Sequence, residues 1–189
     1  RRAGGAVAAD ARPAERQALM AKLNMVKALN LALREEMDRD KDVLVIGEDV
    51  GVDGGVFRVT EDLHRKFGSK RVIDSPLAEA AIIGTAVGMA LYGLKPVCEI
   101  QFSGFAFQCF HQIENHAARF RLRTFGRFHV PMVVRMPYGG GVRALEHHTE
   151  SEEQFYAHMP GLKMVIPSGP RAARALLVSA IRDPDPVIF

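Results

Sequence analysis

The sequence predicts an α/β fold with a mostly parallel, doubly wound sheet flanked by helices. Apolar runs of strand length alternate along the chain with segments of helical length, which is the pattern of a parallel sheet with crossover helices. The runs are apolar throughout, as in strands that are covered on both faces. With 189 residues and 48% hydrophobic composition, the chain can bury a core of its own without disulfides.

The spacing of apolar residues and the positions of glycines predict the first helices and strands. Apolar residues recur at helical spacing from Met25 to Met37 and predict an amphipathic helix that ends near Asp40. The apolar run that follows is halted by Gly47, as expected for a buried strand. The elements predicted next are the strand 43–46, a flexible loop at 51–55, a short helix at 60–67 and a strand at 71–73.

Two of the later helices are predicted from their capping residues. Ser75 can cap a helix that has Pro76 in its first position. Ser151 and Gln154 form a capping box that opens a short helix. The other predicted elements are the strand 96–100, the helix 105–123, the strand 132–136, a glycine loop at 139–141, the strand 163–166, the helix 171–182 and the strand 187–189.

Charge and cysteine content argue against several classes of protein. The formal charge of +3 comes entirely from residues 1–22, so nothing indicates nucleic acid or anionic lipid as a partner. Cys98 and Cys109 lack metal or redox spacing and are interpreted as buried thiols in a reducing compartment, the cytoplasm or a mitochondrial matrix. The apolar stretch 77–94 contains Glu79 and several glycines, so it is interpreted as a core helix and not a membrane span.

The two ends of the chain predict the domain boundaries. Residues 1–24 begin without methionine and are rich in Ala, Arg and Gly, so a disordered or non-native segment is expected there. Residues 25–189 are then one domain. The chain stops inside the apolar run 186–189, which leads us to expect a fragment of a longer protein.

Polar side chains follow several of the predicted strands. In parallel sheets, ligands bind beyond the carboxyl ends of the strands, where Glu48, Glu79, Gln101 and the loop with His147 and His148 are all expected. Glu79 is the most informative because it is a lone carboxylate in an otherwise apolar helix, where an acid must be paired, neutralised or used by a ligand. An acid stabilised only by helix-terminal amides is an equally good interpretation.

The other candidates also have structural alternatives. Glu48, taken alone, is compatible with a loop carboxylate in water. Gln101 and Phe105 could hold a planar ligand, but they are equally compatible with an amide that caps a helix and an aromatic ring in the core. The histidines invite a metal site with His158 as third ligand, but adjacent histidines point apart and no HExxH pattern accompanies them. Proton transfer suits a loop histidine better than metal binding does, although a surface histidine without function stays open.

The glycines do not form a phosphate-binding motif. The run 139–141 lacks the GxGxxG order, and GxxxxGK[ST] does not occur in the sequence. If a phosphorylated cofactor binds here, another element must hold its phosphates.

A set of short motifs runs in one order from Met25 to Phe189 and points to a family. The motifs are Gly-Glu-Asp-Val at 47–50, Gly-Gly-Val-Phe at 54–57, Asp-Ser-Pro-Leu-Ala-Glu at 74–79, Glu-Ile-Gln-Phe at 99–102, Arg-Met-Pro at 135–137 and His-His-Thr-Glu-Ser at 147–151. Together they resemble the beta subunit of the decarboxylating component of 2-oxo acid dehydrogenase complexes. The resemblance implies a thiamine diphosphate enzyme that decarboxylates pyruvate or a branched 2-oxo acid and transfers the acyl group to a lipoyl arm.

The resemblance also implies roles for individual residues. Glu79 matches the glutamate that hydrogen-bonds the ring nitrogen of the aminopyrimidine and favours the tautomer that can accept a proton. Glu48 matches a nearby acid that communicates with it, and His148 matches the histidine that is expected to assist acyl transfer and to help position substrate. The residues implied at the pyrimidine are completed by Leu77, Gln101 and Phe105. Thr149-Glu150 and Ala78 depart from a common form of these motifs without removing a catalytic group.

Partners and ions are implied in the same way. The family's alpha subunit holds the diphosphate and magnesium within a heterotetramer, which explains the missing phosphate motif, and a lipoyl-bearing acyltransferase accepts the acyl group. A structural potassium ion is implied near Met132, Val133, Asp183 and Asp185. The family's carboxyl-terminal domain is not expected within this chain.

Two other functions fit the same residues. A transketolase-like carbon transferase would need a diphosphate-binding domain and basic residues for a sugar phosphate. A non-catalytic domain that only pairs with another subunit is the second alternative. Copurification with an alpha subunit and thiamine-dependent decarboxylation would separate these functions from a dehydrogenase.

Overall fold

The computed structural model describes residues 23–189, so residues 1–22 of the predicted N-terminal segment lie outside the described part. The helices are α1 Met25–Arg39, α2 Leu63–Phe67, α3 Glu79–Leu91, α4 Phe120–Arg123, α5 Glu153–Ala157 and α6 Pro170–Arg182. The strands are β1 Val43–Gly47, β2 Val72–Asp74, β3 Lys95–Glu99, β4 Val133–Arg135, β5 Lys163–Met164 and β6 Val187–Ile188. No helix within residues 23–189 is long and apolar enough to cross a membrane.

The strands form one six-stranded sheet in the order β2-β1-β3-β4-β6-β5, and every adjacent pair is parallel. Helices cover both faces. On one face α1 and α6 pack through Leu33 and Leu177 in the cluster that contains Val45. On the other face α3 packs through Ile83 in the cluster that contains Leu44. Successive residues of β1 therefore enter different cores, which explains its continuous apolar run and confirms the predicted doubly wound fold.

Both predicted helix caps are wrong. α3 begins at Glu79, and no side chain caps its first turn. Ser75 instead continues the sheet, because its N–H donates to the Gly47 carbonyl at 2.9 Å and keeps the chain out of the helix. α5 also begins without a side-chain cap, because Glu152 takes the capping position and Ser151 lies one residue too early.

The helix predicted at 105–123 is a succession of different turns. It begins as the 3₁₀ helix Ser103–Cys109, widens into the π-helical segment Gln112–Ala118 and ends as α4. A further 3₁₀ turn, Gly140–Val142, lies in the glycine loop. The apolar spacing indicated the position of the long segment, but it did not indicate how tightly the backbone winds.

An ion cluster around one buried carboxylate, which the sequence did not indicate, ties α1 to α6. Glu36 is only 2% exposed. Its carboxylate accepts hydrogen bonds from Arg182 at 2.6 and 3.0 Å and from Arg39 at 2.7 and 3.1 Å. Burial by itself would raise the pKa of Glu36, but the hydrogen bonds from Arg182 and Arg39 outweigh it and lower the pKa.

Glu36→Ala is therefore expected to lower the free energy of unfolding by about 2 kcal/mol near neutral pH. Because the folded-state pKa lies below the unfolded-state value, this stabilisation is present above the unfolded-state pKa and is lost as the pH falls through the folded-state pKa. Urea unfolding at neutral and acidic pH measures the effect. Glu35→Ala, which removes a partly exposed partner of Arg174, is the control and should cost less. Equal losses in the two variants at neutral pH would contradict a special role for Glu36.

Candidate active site

The carboxyl edge of the sheet brings three of the predicted site residues together. Strand register aligns Gly47 of β1 with Asp74 of β2 and with Glu99 of β3. Glu48 directly follows β1, α3 opens with Glu79 after β2, and Gln101 comes two residues after β3. The predicted placement at one edge thus follows from the parallel register.

Glu79 is a buried acid with unused hydrogen-bonding capacity. The residue is 4% exposed, and its Oε2 atom has no hydrogen-bond partner within the described residues. A buried carboxylate oxygen without a partner is rare in native proteins because losing its hydration costs free energy. The Oε2 atom of Glu79 is therefore available for a hydrogen bond with a ligand.

Glu48 lies within electrostatic reach of Glu79. Burial raises the pKa of Glu48, and the negative charges of Asp49 and Glu79 raise it further. Glu48 is itself half-buried, so burial and these two neighbouring charges all favour its protonated form.

The loop after β1 orients Gln101. The Gln101 amide donates a hydrogen bond to the Asp49 carboxylate at 3.2 Å. Asp49 has a left-handed backbone (φ 56°), and its carbonyl accepts the Gly55 N–H at 2.8 Å. The loop is drawn toward β2 because the Gly51 N–H donates to Asp74 at 2.6 Å. Asp49 is part of the Gly-Glu-Asp-Val motif at 47–50, but the sequence does not indicate its contact with Gln101.

His148 packs against two aromatic rings. Its ring centroid lies 4.6 Å from that of Phe102 and 5.2 Å from that of Phe105, both in edge-to-face geometry. Its Nδ1 lies 3.2 Å from the Glu146 carbonyl oxygen. Since a carbonyl can only accept, this contact assigns a proton to Nδ1, so that in the neutral imidazole Nε2 is the atom that can act as a base. Phe105 and His148, chosen separately from the sequence, are thus neighbours.

The remaining candidates are less enclosed. His147 is exposed, and the residues that the structure describes hold no group of three or more His, Cys, Asp or Glu side chains arranged for a metal ion. Leu77 is 69% exposed two residues before Glu79, so it offers an apolar surface at the rim.

The two thiols are buried and free, as predicted. Burial raises the pKa of Cys98 far above its ordinary value. Burial and then the charge of Glu79 raise the pKa of Cys109 to about 12. Neither cysteine is therefore a thiolate nucleophile at neutral pH.

A second buried acid, Glu152, was not predicted from the sequence. Glu152 is 3% exposed, neither carboxylate oxygen has a hydrogen-bond partner among residues 23–189, and burial together with the charge of Glu150 raises its pKa to about 7. It lines a largely apolar cavity of about 270 Å³ beside Tyr156 and Phe189. Nothing in the polar sequence 150–153 distinguishes Glu152 from its less buried neighbours.

Fold and site together define a class of protein. The transketolase pyrimidine-binding domain family matches residues 21–189, and the chain belongs to this family. It is 54% identical over 170 residues to a pyruvate dehydrogenase E1 component subunit beta from Acholeplasma laidlawii and 52% identical to one from Staphylococcus epidermidis. In both comparisons the alignment covers 90% of this chain and 52% of the relative. The predicted resemblance to these beta subunits is confirmed.

The chain spans about half the length of the curated relatives it matches. A solved structure described as a split gene transketolase, inactive beta4 tetramer, aligns with a TM-score of 0.70 at 19% identity, over 88% of this chain and 50% of that chain. At this identity the likeness shows the fold.

Proposed function

We propose that the chain is the pyrimidine-binding part of the beta subunit of a thiamine diphosphate-dependent 2-oxo acid dehydrogenase. The observation that carries the proposal is Glu79, a buried carboxyl at the carboxyl edge of a parallel sheet, with one oxygen that has no hydrogen-bond partner among residues 23–189. Pyruvate is the proposed substrate because the cited relatives are pyruvate dehydrogenase beta subunits. Oxidative decarboxylation with acyl transfer to a lipoyl domain is the proposed reaction.

The residues at this edge fit the aminopyrimidine of the cofactor. The Glu79 oxygen that lacks a partner among residues 23–189 supplies the position for a ring-nitrogen hydrogen bond, and Glu48 lies close enough for the charge of Glu79 to raise its pKa. Gln101 offers an amide and Phe105 a ring, while Leu77 adds exposed apolar surface at the rim. When bound, thiamine diphosphate supplies the carbon nucleophile and the electron sink for loss of CO₂. The role of this chain is to hold the ring and to manage a proton at Glu79.

His148 is proposed to assist acyl transfer. Its Nε2 has no hydrogen-bond partner among residues 23–189, and its ring is fixed by Phe102 and Phe105. An imidazole is the side chain best suited to take and return a proton at neutral pH. The acceptor is proposed to be the lipoyl arm of the acyltransferase component.

The partner subunit is inferred from the resemblance to beta subunits. As that resemblance implies, the diphosphate and magnesium are proposed to lie on an alpha subunit in a heterotetramer, and the sequence given accordingly contains neither GxGxxG nor GxxxxGK[ST]. The proposed active site is therefore shared between two kinds of chain.

Coexpression with the alpha subunit encoded in the same genome tests the proposal. The full-length subunit should copurify with alpha and decarboxylate pyruvate with an artificial electron acceptor only when thiamine diphosphate and Mg²⁺ are present. Preference for a branched 2-oxo acid would change the substrate but keep the class. Transfer of a carbon unit between sugar phosphates, or pairing with alpha without any thiamine-dependent activity, would overturn the proposal.

We also propose that a potassium ion binds near Met132 and Val133, at the opposite edge of the sheet. Here Asp183 accepts from Lys163 at 2.7 and 2.8 Å, and Asp185 accepts from Arg121 at 2.6 Å. Because these carboxylates are already paired, the ion would depend on backbone carbonyls. Thermal unfolding of the assembled complex is expected at a higher midpoint, by about 3 °C, in KCl than in NaCl of equal concentration. Equal midpoints would count against the ion.

A further inference from the structure

We propose that Gly104 is a positioning residue for His148. In this inference, which rests on the proposed function, the lack of a side chain at Gly104 lets the backbone of His147 lie directly against the 3₁₀ helix. That contact sets the position of the imidazole on the next residue.

The contact at Gly104 leaves no space for a side chain. A Cβ atom at this position would lie 2.3 Å from the His147 carbonyl oxygen and 2.8 Å from the His147 Cα atom. Ordinary contacts of this kind begin near 3.4 Å. Because the opposing atoms are backbone, no rotamer change can relieve the overlap, and either the helix or the loop must move.

The loop that carries His148 is anchored next to Gly104 at both of its ends. The Ser103 N–H donates to the Pro137 carbonyl at 2.9 Å, and the Ser103 hydroxyl donates to the Glu150 carbonyl at 3.1 Å. Between these anchors, His147 has a left-handed backbone (φ 66°), a conformation that non-glycine residues adopt only when surrounding contacts hold it. The loop therefore cannot slide away from a larger residue without losing an anchor.

The same short segment holds the imidazole itself. Phe102, which directly precedes the 3₁₀ helix, and Phe105 within it both contact the His148 ring, and their own ring centroids lie 5.7 Å apart. We call Phe102, Gly104 and Phe105 the His148 seat. The two aromatic rings of the seat contact the imidazole, and the backbone of His147 packs against Gly104. A shift of about 1 Å in that backbone would move the free Nε2, and a misplacement of this size can cost about 100-fold in rate.

Gly104→Ala in the assembled alpha–beta complex tests the inference, with Gly140→Ala as the matched control. A Cβ atom at Gly140, in the same loop, would meet nothing within 4 Å. We expect Gly104→Ala to lower kcat for acylation of a free lipoyl domain about 10- to 100-fold, with KM for pyruvate nearly unchanged. Gly140→Ala should stay within about twofold of the wild-type complex.

The same substitutions in the His148→Ala background separate positioning from a general structural defect. If Gly104 acts through His148, Gly104→Ala should have little further effect once the imidazole is gone. An equal loss in both backgrounds, or a Gly104→Ala complex as active as Gly140→Ala, would overturn the inference. An inactive wild-type complex would instead count against the proposed function.

Ser103→Ala provides a second variant in case Gly104→Ala does not assemble. It removes one anchor of the loop without adding volume. We expect a several-fold loss of lipoyl acylation that disappears in the His148→Ala background. Wild-type acylation by Ser103→Ala would then contradict the inference.

Discussion

Glu79→Gln is expected to reduce pyruvate decarboxylation by the assembled complex about 1,000-fold while leaving assembly intact. Glutamine keeps the volume and a hydrogen-bonding oxygen of Glu79, so the buried position stays filled. It cannot hold a shared acidic proton, which is the property that the proposed role requires. Steady-state decarboxylation with an artificial acceptor and copurification with the alpha subunit measure the two parts of this prediction.

Glu35→Gln is the control for the same chemical change. Glu35 is on α1 and pairs with Arg174 of α6. Its variant should turn over at nearly the wild-type rate. Full activity in Glu79→Gln would remove the catalytic role and return Glu79 to a structural acid at a helix start.

His148→Ala is expected to lower acylation of a free lipoyl domain about 100-fold. Decarboxylation measured with an artificial acceptor should fall much less, because the imidazole is proposed to act on the acyl acceptor. The comparison of the two assays in one preparation therefore locates the affected step.

His147→Asn is the control for the neighbouring position. The His147 side chain is exposed, and asparagine tolerates its left-handed backbone better than most residues do. Its acylation rate should stay close to that of the wild-type complex. Equal losses in the two variants would point to the loop as a whole, and unchanged acylation in His148→Ala would make that histidine structural.

The sequence was sufficient to predict the fold and the edge that carries the site. Continuous apolar runs such as 43–46 indicated strands covered on both faces, and parallel strands place their following residues at one edge. The burial of Glu79 was also predictable, because α3 is apolar on every side of this residue. These features depend on local pattern and on the geometry of parallel sheets.

The contacts that arrange the site were not predictable from local pattern. The seat of His148 joins residues more than forty positions apart, and Asp49 meets Gln101 across a comparable separation. Ser75 does not cap α3, because its N–H bonds to the Gly47 carbonyl of β1 and keeps this residue in the sheet. Helical spacing from Leu29 and Leu33 puts Glu36 on the buried stripe of α1, but nothing in the local sequence shows that Arg182 of α6 pairs with its carboxylate.

A crystal structure of the assembled complex with thiamine diphosphate and Mg²⁺ is the decisive measurement. We expect a carboxyl oxygen of Glu79 within about 2.6–3.2 Å of a ring nitrogen of the aminopyrimidine, with His148 facing the same cavity. An aminopyrimidine bound away from the carboxyl edge of the sheet, or a Glu79 that makes no contact with it, would contradict the proposed function.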